Sequence, residues 1–74
     1  GGEVLVAFTL RALSPARLEL FDVAGRSVAV REVGDLGPGP HELKMRVYGQ
    51  VSGEYLLRLT QGRETQTERV AVFR

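Results

Sequence analysis

Apolar side chains recur at every second position in several short segments of this chain, and this period of two constrains the fold most. The clearest segment runs from His41 to Val47, where Leu43, Met45 and Val47 alternate with charged residues. Successive side chains of an extended strand point to opposite faces, so this pattern is typical of a strand with one buried and one solvated face. An amphipathic helix would repeat every 3.6 residues instead.

Glycine and proline divide the chain into short segments of this kind, as expected for strands joined by turns. Residues 22–26 are predicted to form a tight turn, because the Asp22 side chain can accept bonds from turn amides and Gly25 tolerates a positive φ. Residues 37–40 are predicted as a surface loop, and Gln61-Gly62 as the tip of a hairpin. Strands are predicted at 4–10, 17–20, 28–33, 41–47, 55–60 and 64–73, with an irregular segment at 48–53.

Six or seven short strands predict an all-β fold, an antiparallel β-sandwich, as a single domain over 3–74 with Gly1-Gly2 as a linker remnant. A barrel would need more closely matched strands than these uneven loops suggest. A helix over 18–28 is a further alternative, but Gly25 in its middle would cost about 1 kcal/mol relative to Ala. The side chains predicted to point inward are Val6, Phe8, Leu10, Leu18, Leu20, Val28, Leu43, Met45, Tyr55, Leu57, Leu59, Val70 and Val72.

The composition excludes several classes of function. Ten basic and nine acidic residues leave a net charge of +1 with the two signs interleaved, so no basic surface for nucleic acid is predicted. There are no cysteines, which excludes disulfides and thiolate-bound metal sites. No apolar run approaches the roughly 20 residues of a membrane helix.

No arrangement of residues in the chain predicts an enzyme, a cofactor site or a metal site. His41, the single histidine, follows Pro40 at a strand start, where a solvent-facing polar residue is expected. Ser14, Ser27 and Ser52 adjoin turns and have no nucleophile motif around them. The carboxylates are too scattered for a calcium loop, although one pair could still meet across loops. Tyr48 is the one aromatic residue expected to be available to stack on a sugar, which leaves a carbohydrate-binding module as a third-ranked alternative.

Residues 18–28 (LELFDVAGRSV) fit the signature L-x-I-Y-D-x-x-G-R-x-V, residues 52–59 (SGEYLLRL) fit the block S-G-x-Y-x-v-r-l, and Val6-x-Phe8-x-Leu10 fits the opening I-x-Y-x-L. In this order and spacing the chain resembles the C-terminal sorting domains recognised by the type IX secretion system, and the related immunoglobulin-like module of flagellar hook-capping proteins. Residues 39–43 and 68–74 resemble two further strands, and Val30 is one residue from the usual apolar position, which predicts a register shift there. The W-D-G-x-D turn of the hook-capping type is absent, since residues 45–50 read MRVYGQ.

The resemblance implies an immunoglobulin-like sandwich and a role in export. It implies a monomeric, non-catalytic domain that ends a longer bacterial polypeptide, with Arg74 as the true C-terminus and a cargo domain, often an enzyme, before it. The partners would be the outer-membrane secretion and attachment machinery, and the location secreted or cell-surface, reached through the periplasm. The main alternative is an immunoglobulin-like spacer or assembly module. The family-motif residues carried over are Asp22, Gly25, Arg26, Gly53, Tyr55, Arg69, Val70 and Val72.

Overall fold

Six antiparallel strands and one short 3-10 helix make up most of the chain in the computed structural model, which describes residues 2–47 and 53–72. The all-β fold predicted from the alternating pattern is therefore confirmed, and the helix over 18–28 is excluded. The strands are β1 (Gly2–Leu10), β2 (Ala16–Phe21), β3 (Ser27–Glu32), β4 (Gly39–Val47), β5 (Gly53–Gln61) and β6 (Glu64–Val72), and the 3-10 helix is Gly34–Leu36. The first strand begins one residue before the predicted domain boundary, with Gly2 opposite Val47.

The strands form two sheets, β1-β4 and β3-β2-β5-β6. In the four-stranded sheet, the order β3-β2-β5-β6 corresponds to strands C′, C, F and G of an immunoglobulin variable domain. In the two-stranded sheet, β1 and β4 then correspond to strands B and E. In that arrangement strand A lies beside strand B, but no strand among the described residues pairs with the outer edge of β1. The described part of the chain is thus an antiparallel β-sandwich with one sheet of four strands and one of two.

The core lies between the inward faces of the two sheets, and the period-two pattern predicts most of it. Of the predicted inward set, Val28, Leu43, Leu59 and Val70 are only partly buried at the margin, and the side chain of Val72 lies outside the described part. The prediction omitted four buried residues, Val4, Ala16, Val33 and Val47. The other buried side chains were predicted: Val6, Phe8, Leu10, Leu18, Leu20, Met45, Tyr55 and Leu57.

Two details of the predicted elements are wrong. The loop predicted at 37–40 ends earlier, because β4 begins at Gly39 and Pro40 lies opposite Thr9. Proline is tolerated there because no strand among residues 2–47 and 53–72 pairs with the other side of β4, so no neighbour in that part needs the missing amide donor. The register shift expected at Val30 occurs instead at Val28, since Leu20 is opposite Ala29 and Phe21 is opposite Ser27.

The hairpin predicted at Gln61-Gly62 is confirmed. Gln61 pairs with Glu64, and Gly62 has a φ of 62° as the first residue between the strands. The irregular segment predicted at 48–53 lies outside the described residues except for Gly53, which opens β5. Within the described ranges, no helix is long and apolar enough to cross a membrane.

Candidate functional site

Asp22 organises the turn between β2 and β3. Its Oδ1 accepts hydrogen bonds from the backbone N–H groups of Ala24 (3.0 Å) and Arg26 (2.9 Å), and its Oδ2 accepts one from Nε of Arg26 (2.8 Å). The backbone closes the same turn, because the Asp22 N–H donates to the Arg26 carbonyl (2.9 Å) and the Gly25 N–H to the Asp22 carbonyl (3.0 Å). Gly25 has a φ of 85°, which an L-residue rarely adopts. The turn predicted at 22–26 is therefore confirmed.

The Asp22 carboxylate is largely buried within the turn, whereas the side chains at the tip of the turn are exposed. The hydrogen bond from the Arg26 amide lowers the pKa of Asp22 most, and the Arg26 guanidinium lowers it further against the opposing effect of desolvation. The Asp22 side chain is 16% exposed, whereas that of Arg26 is 80% exposed. Val23 is 81% exposed. A fixed turn thus presents one apolar side chain and one guanidinium to solvent.

Beside the turn, on the outer face of the four-stranded sheet, the Arg58 side chain contacts both Glu19 and Phe21. Glu19 lies opposite Arg58, whose Nη2 donates to its Oε1 at 3.1 Å. The Arg58 guanidinium also lies 4.5 Å from the centre of the Phe21 ring, within the range of a cation–π contact. The Ser27 hydroxyl is the main cause of a lowered pKa at Glu19, and Arg58 adds to it. These contacts join β2 to both β3 and β5.

The remaining family-motif residues lie in β5 and β6. Gly53 opens β5 with a φ of 135° and lies opposite Val72, the last residue of β6. Tyr55 is buried and lies opposite the partly buried Val70, while Arg69 is exposed. Gly53 was predicted to lie at a strand start and Tyr55 to be packed in the core, and the positions of both residues agree with this.

Strand register brings all eight motif residues to one end of the four-stranded sheet. Phe21, directly before the turn, is opposite Leu56, and Leu56 is opposite Arg69. The turn of residues 22–26 therefore adjoins the start of β5 and the end of β6; we call this region the motif end. Its exposed surface combines apolar side chains with guanidinium groups: Val23, Leu56, Arg26 and Arg69. Leu56 and Val23 were not among the predicted site residues, because an exposed apolar residue carries no signal until its neighbours are known.

A groove of about 650 Å³ opens between the two sheets, away from the motif end. Apolar side chains of both sheets line it, among them Phe8, Leu57 and Leu59, and polar residues lie at its rim, including Glu42 and Glu68. His41, predicted to face solvent, is instead half-buried at this groove. Its Nε2 donates to the Gly37 carbonyl at 2.7 Å, and its ring lies 5.6 Å from that of Phe8.

Among the described residues, no group of three or more His, Asp or Glu side chains is placed to hold a metal ion. Tyr48, the residue proposed for sugar stacking, lies outside them. Comparisons of the chain with known protein families, with curated protein sequences and with solved structures found no match.

Proposed function

We propose that this chain is a non-catalytic C-terminal sorting and cell-surface attachment domain of a larger exported bacterial protein, recognised by the type IX secretion machinery. The observation that carries the proposal is the gathering of the family-motif residues at one end of the four-stranded sheet, where Phe21, Leu56 and Arg69 lie side by side.

The surface at the motif end suits a protein partner. Val23 and Leu56 offer apolar contact, while Arg26 and Arg69 offer guanidinium groups that bind carboxylates in bidentate geometry. Arginine is enriched at the centres of protein interfaces. The proposed partner surface in the outer-membrane machinery is therefore an apolar pocket bordered by Asp or Glu residues.

The fixed turn explains why the motif requires an Asp and a Gly at these two positions. Asp22 accepts three hydrogen bonds within the turn, and Gly25 permits the backbone geometry that they need. A pre-ordered turn loses little conformational entropy when a partner binds it. On this proposal the cargo lies N-terminal to the domain, crosses the periplasm with it and reaches the cell surface.

Fusing residues 1–74 to the C-terminus of a periplasmic reporter tests the proposal, in a host that possesses the type IX system. We expect the reporter to become accessible to a protease added outside the cells. The same fusion in a host lacking the system is the control and should stay protected. Protection of the fusion in both hosts, with the domain folded, would defeat the proposal.

A second candidate, an immunoglobulin-like spacer or assembly module, is favoured by the sheet order, which matches strands of an immunoglobulin domain. It predicts partner binding with no effect on export. The reading frame of the parent protein distinguishes the two candidates, because a further domain after Arg74 would favour the spacer.

A further inference from the structure

The outer edge of β1 is the least protected of the four sheet edges that the structure describes. An exposed edge carries unpaired backbone groups, and natural proteins block such edges with charged residues, proline, bulges or short strands. β1 is nine residues long, and Glu3 is its single charged residue. The other three edges are blocked by such devices. β3 is only six residues long and ends in Arg31 and Glu32, and β4 contains Pro40 and three charged residues, Glu42, Lys44 and Arg46. β6 contains Glu64, Glu68 and Arg69.

The groove lies beside this open edge. β4 contacts β3, and the chain after β1 is joined to the β5–β6 hairpin, since Arg11 bonds Gln61 (3.2 Å) and Glu64 (3.1 Å). These contacts place β1 on the β5–β6 side of the sandwich. Residues 7–9 of β1 and residues 66 and 68 of β6 accordingly line the same groove.

The inward face of β6 is left uncovered by the smaller sheet. Glu68 is opposite Leu57 and Gln66 is opposite Leu59, so both point toward the interior, yet both are exposed. Leu59 and Val70 remain partly exposed for the same reason. A two-stranded sheet cannot cover a four-stranded one, and the uncovered strip is about one strand wide.

We propose that a single extended peptide segment of a partner pairs with the outer edge of β1 and occupies this groove. It would take the position that strand A has beside strand B in the immunoglobulin arrangement. Its main-chain groups would continue the β1–β4 sheet, and its apolar side chains, at every second position, would pack on Leu59 and Val70. A Lys or Arg residue on the same face would meet Glu68, which has no ion-pair partner among the described residues.

The occupant is a lone strand and not a second copy of this domain. Strands in a sheet are about 4.8 Å apart, so a second β1 would lie directly over the first copy's β6. The second copy's own β5 and β6 would then need the space that this β6 already fills. A peptide without a second sheet behind it meets no such obstacle.

The probe is the capped peptide Lys-Thr-Val-Thr-Val-Thr-Lys, which puts lysines and valines on one face and threonines on the other. Amide resonances and hydrogen exchange of the purified chain are followed by NMR as the peptide is added. We expect exchange to slow at alternate residues of β1 and to stay unchanged in β3. Exchange that slows at β3 and not at β1, or at neither strand, would overturn the proposal.

Two matched controls separate strand pairing from simple occupation of the groove. A peptide with the same side chains but N-methyl groups on alternate amides should bind roughly tenfold more weakly or worse, because two or three hydrogen bonds are lost. Equal affinity of the two peptides would contradict strand pairing. Glu68→Gln should weaken binding roughly two- to fivefold, while Glu32→Gln, on the far edge of the sheet, should not. Because the assay uses the purified chain, its result is independent of whether the domain directs export.

Discussion

Gly34 lies so close to the backbone of residues 14–16 that no side chain fits there. A Cβ at this position would overlap the Ser14 carbonyl oxygen and come within 2.8 Å of the Ala16 nitrogen and the Pro15 Cα. Backbone atoms cannot rotate away, so Gly34→Ala must push the 3-10 helix from the start of β2 by on the order of 1 Å. That movement strains the neighbouring bond from the Val33 N–H to the Ala16 carbonyl, now 2.9 Å.

The expected loss of stability combines these two effects. Overpacking costs about 1–3 kcal/mol, and the strained hydrogen bond of the buried Val33 amide costs about 1 kcal/mol more. We expect Gly34→Ala to lower the free energy of unfolding by about 2–4 kcal/mol. A domain of this size has a total stability of roughly 4–11 kcal/mol, so the melting temperature should fall by on the order of 10–30 °C.

Urea unfolding followed by circular dichroism measures this loss as a lower midpoint with an unchanged slope. Asp35→Ala is the matched control, because Asp35 is exposed and adjoins Gly34. It should change the free energy of unfolding by less than about 0.5 kcal/mol. If Gly34→Ala were as stable as this control, the close contact between the 3-10 helix and the start of β2 would be wrong.

Three further predictions concern charge and packing. The pKa values of Glu19 and Asp22 are lower in the folded protein than in the unfolded chain, where they are 4.5 and 3.8. Each ionised carboxylate therefore contributes its full stabilisation at a pH above its unfolded pKa, and this contribution is lost as the pH falls through its lower folded pKa. The double variant Glu19→Gln, Asp22→Asn should therefore lose less stability than the wild type when unfolding is compared at pH 7 and pH 3. Leu18→Ala, at a fully buried position, should cost about 2–5 kcal/mol in urea unfolding, whereas Leu13→Ala, at an exposed one, should be nearly neutral. Arg58→Ala removes an ion pair and a ring contact and should lower the free energy of unfolding by about 0.5–1.5 kcal/mol. A double-mutant cycle with Glu19 should assign part of this loss to the ion pair.

The strands and turns could be predicted because their signals are local. Alternation identified β2 and β4, and the pair Asp22 and Gly25 specified a turn whose hydrogen bonds all lie within five residues. Ala16 was missed although it is in phase with Leu18 and Leu20, because it directly follows Pro15 and the predicted strand began at Arg17. Val33 was missed because it lies between β3 and the 3-10 helix, where the period of two does not apply. They are buried by a contact between segments about 17 residues apart, which no pattern within either segment encodes.

The surfaces could not be predicted because they depend on strand pairing. Each motif residue was identified singly, but their common location follows from the register that places Phe21, Leu56 and Arg69 in one row. The groove likewise depends on one sheet having fewer strands than the other. From the sequence, Gln66 and Glu68 are ordinary polar residues of a solvent-exposed strand. Only the strand pairing shows that they lie on the inward face of β6, at the groove.

Surface delivery by variants of the motif end tests the central claim most directly. In the reporter fusion, Val23→Ser with Arg26→Ser removes the exposed tip of the turn and the bond from Arg26 Nε to Asp22. The bonds from the backbone N–H groups of residues 24 and 26 to Asp22, and the geometry of Gly25, remain to close the turn. The matched control changes an exposed leucine and arginine at the opposite end of the sheet, Leu13→Ser with Arg63→Ser. With both variants folded, the account predicts that the first loses surface delivery and the second keeps it. Delivery of the Val23 and Arg26 variant at the wild-type level would contradict the account.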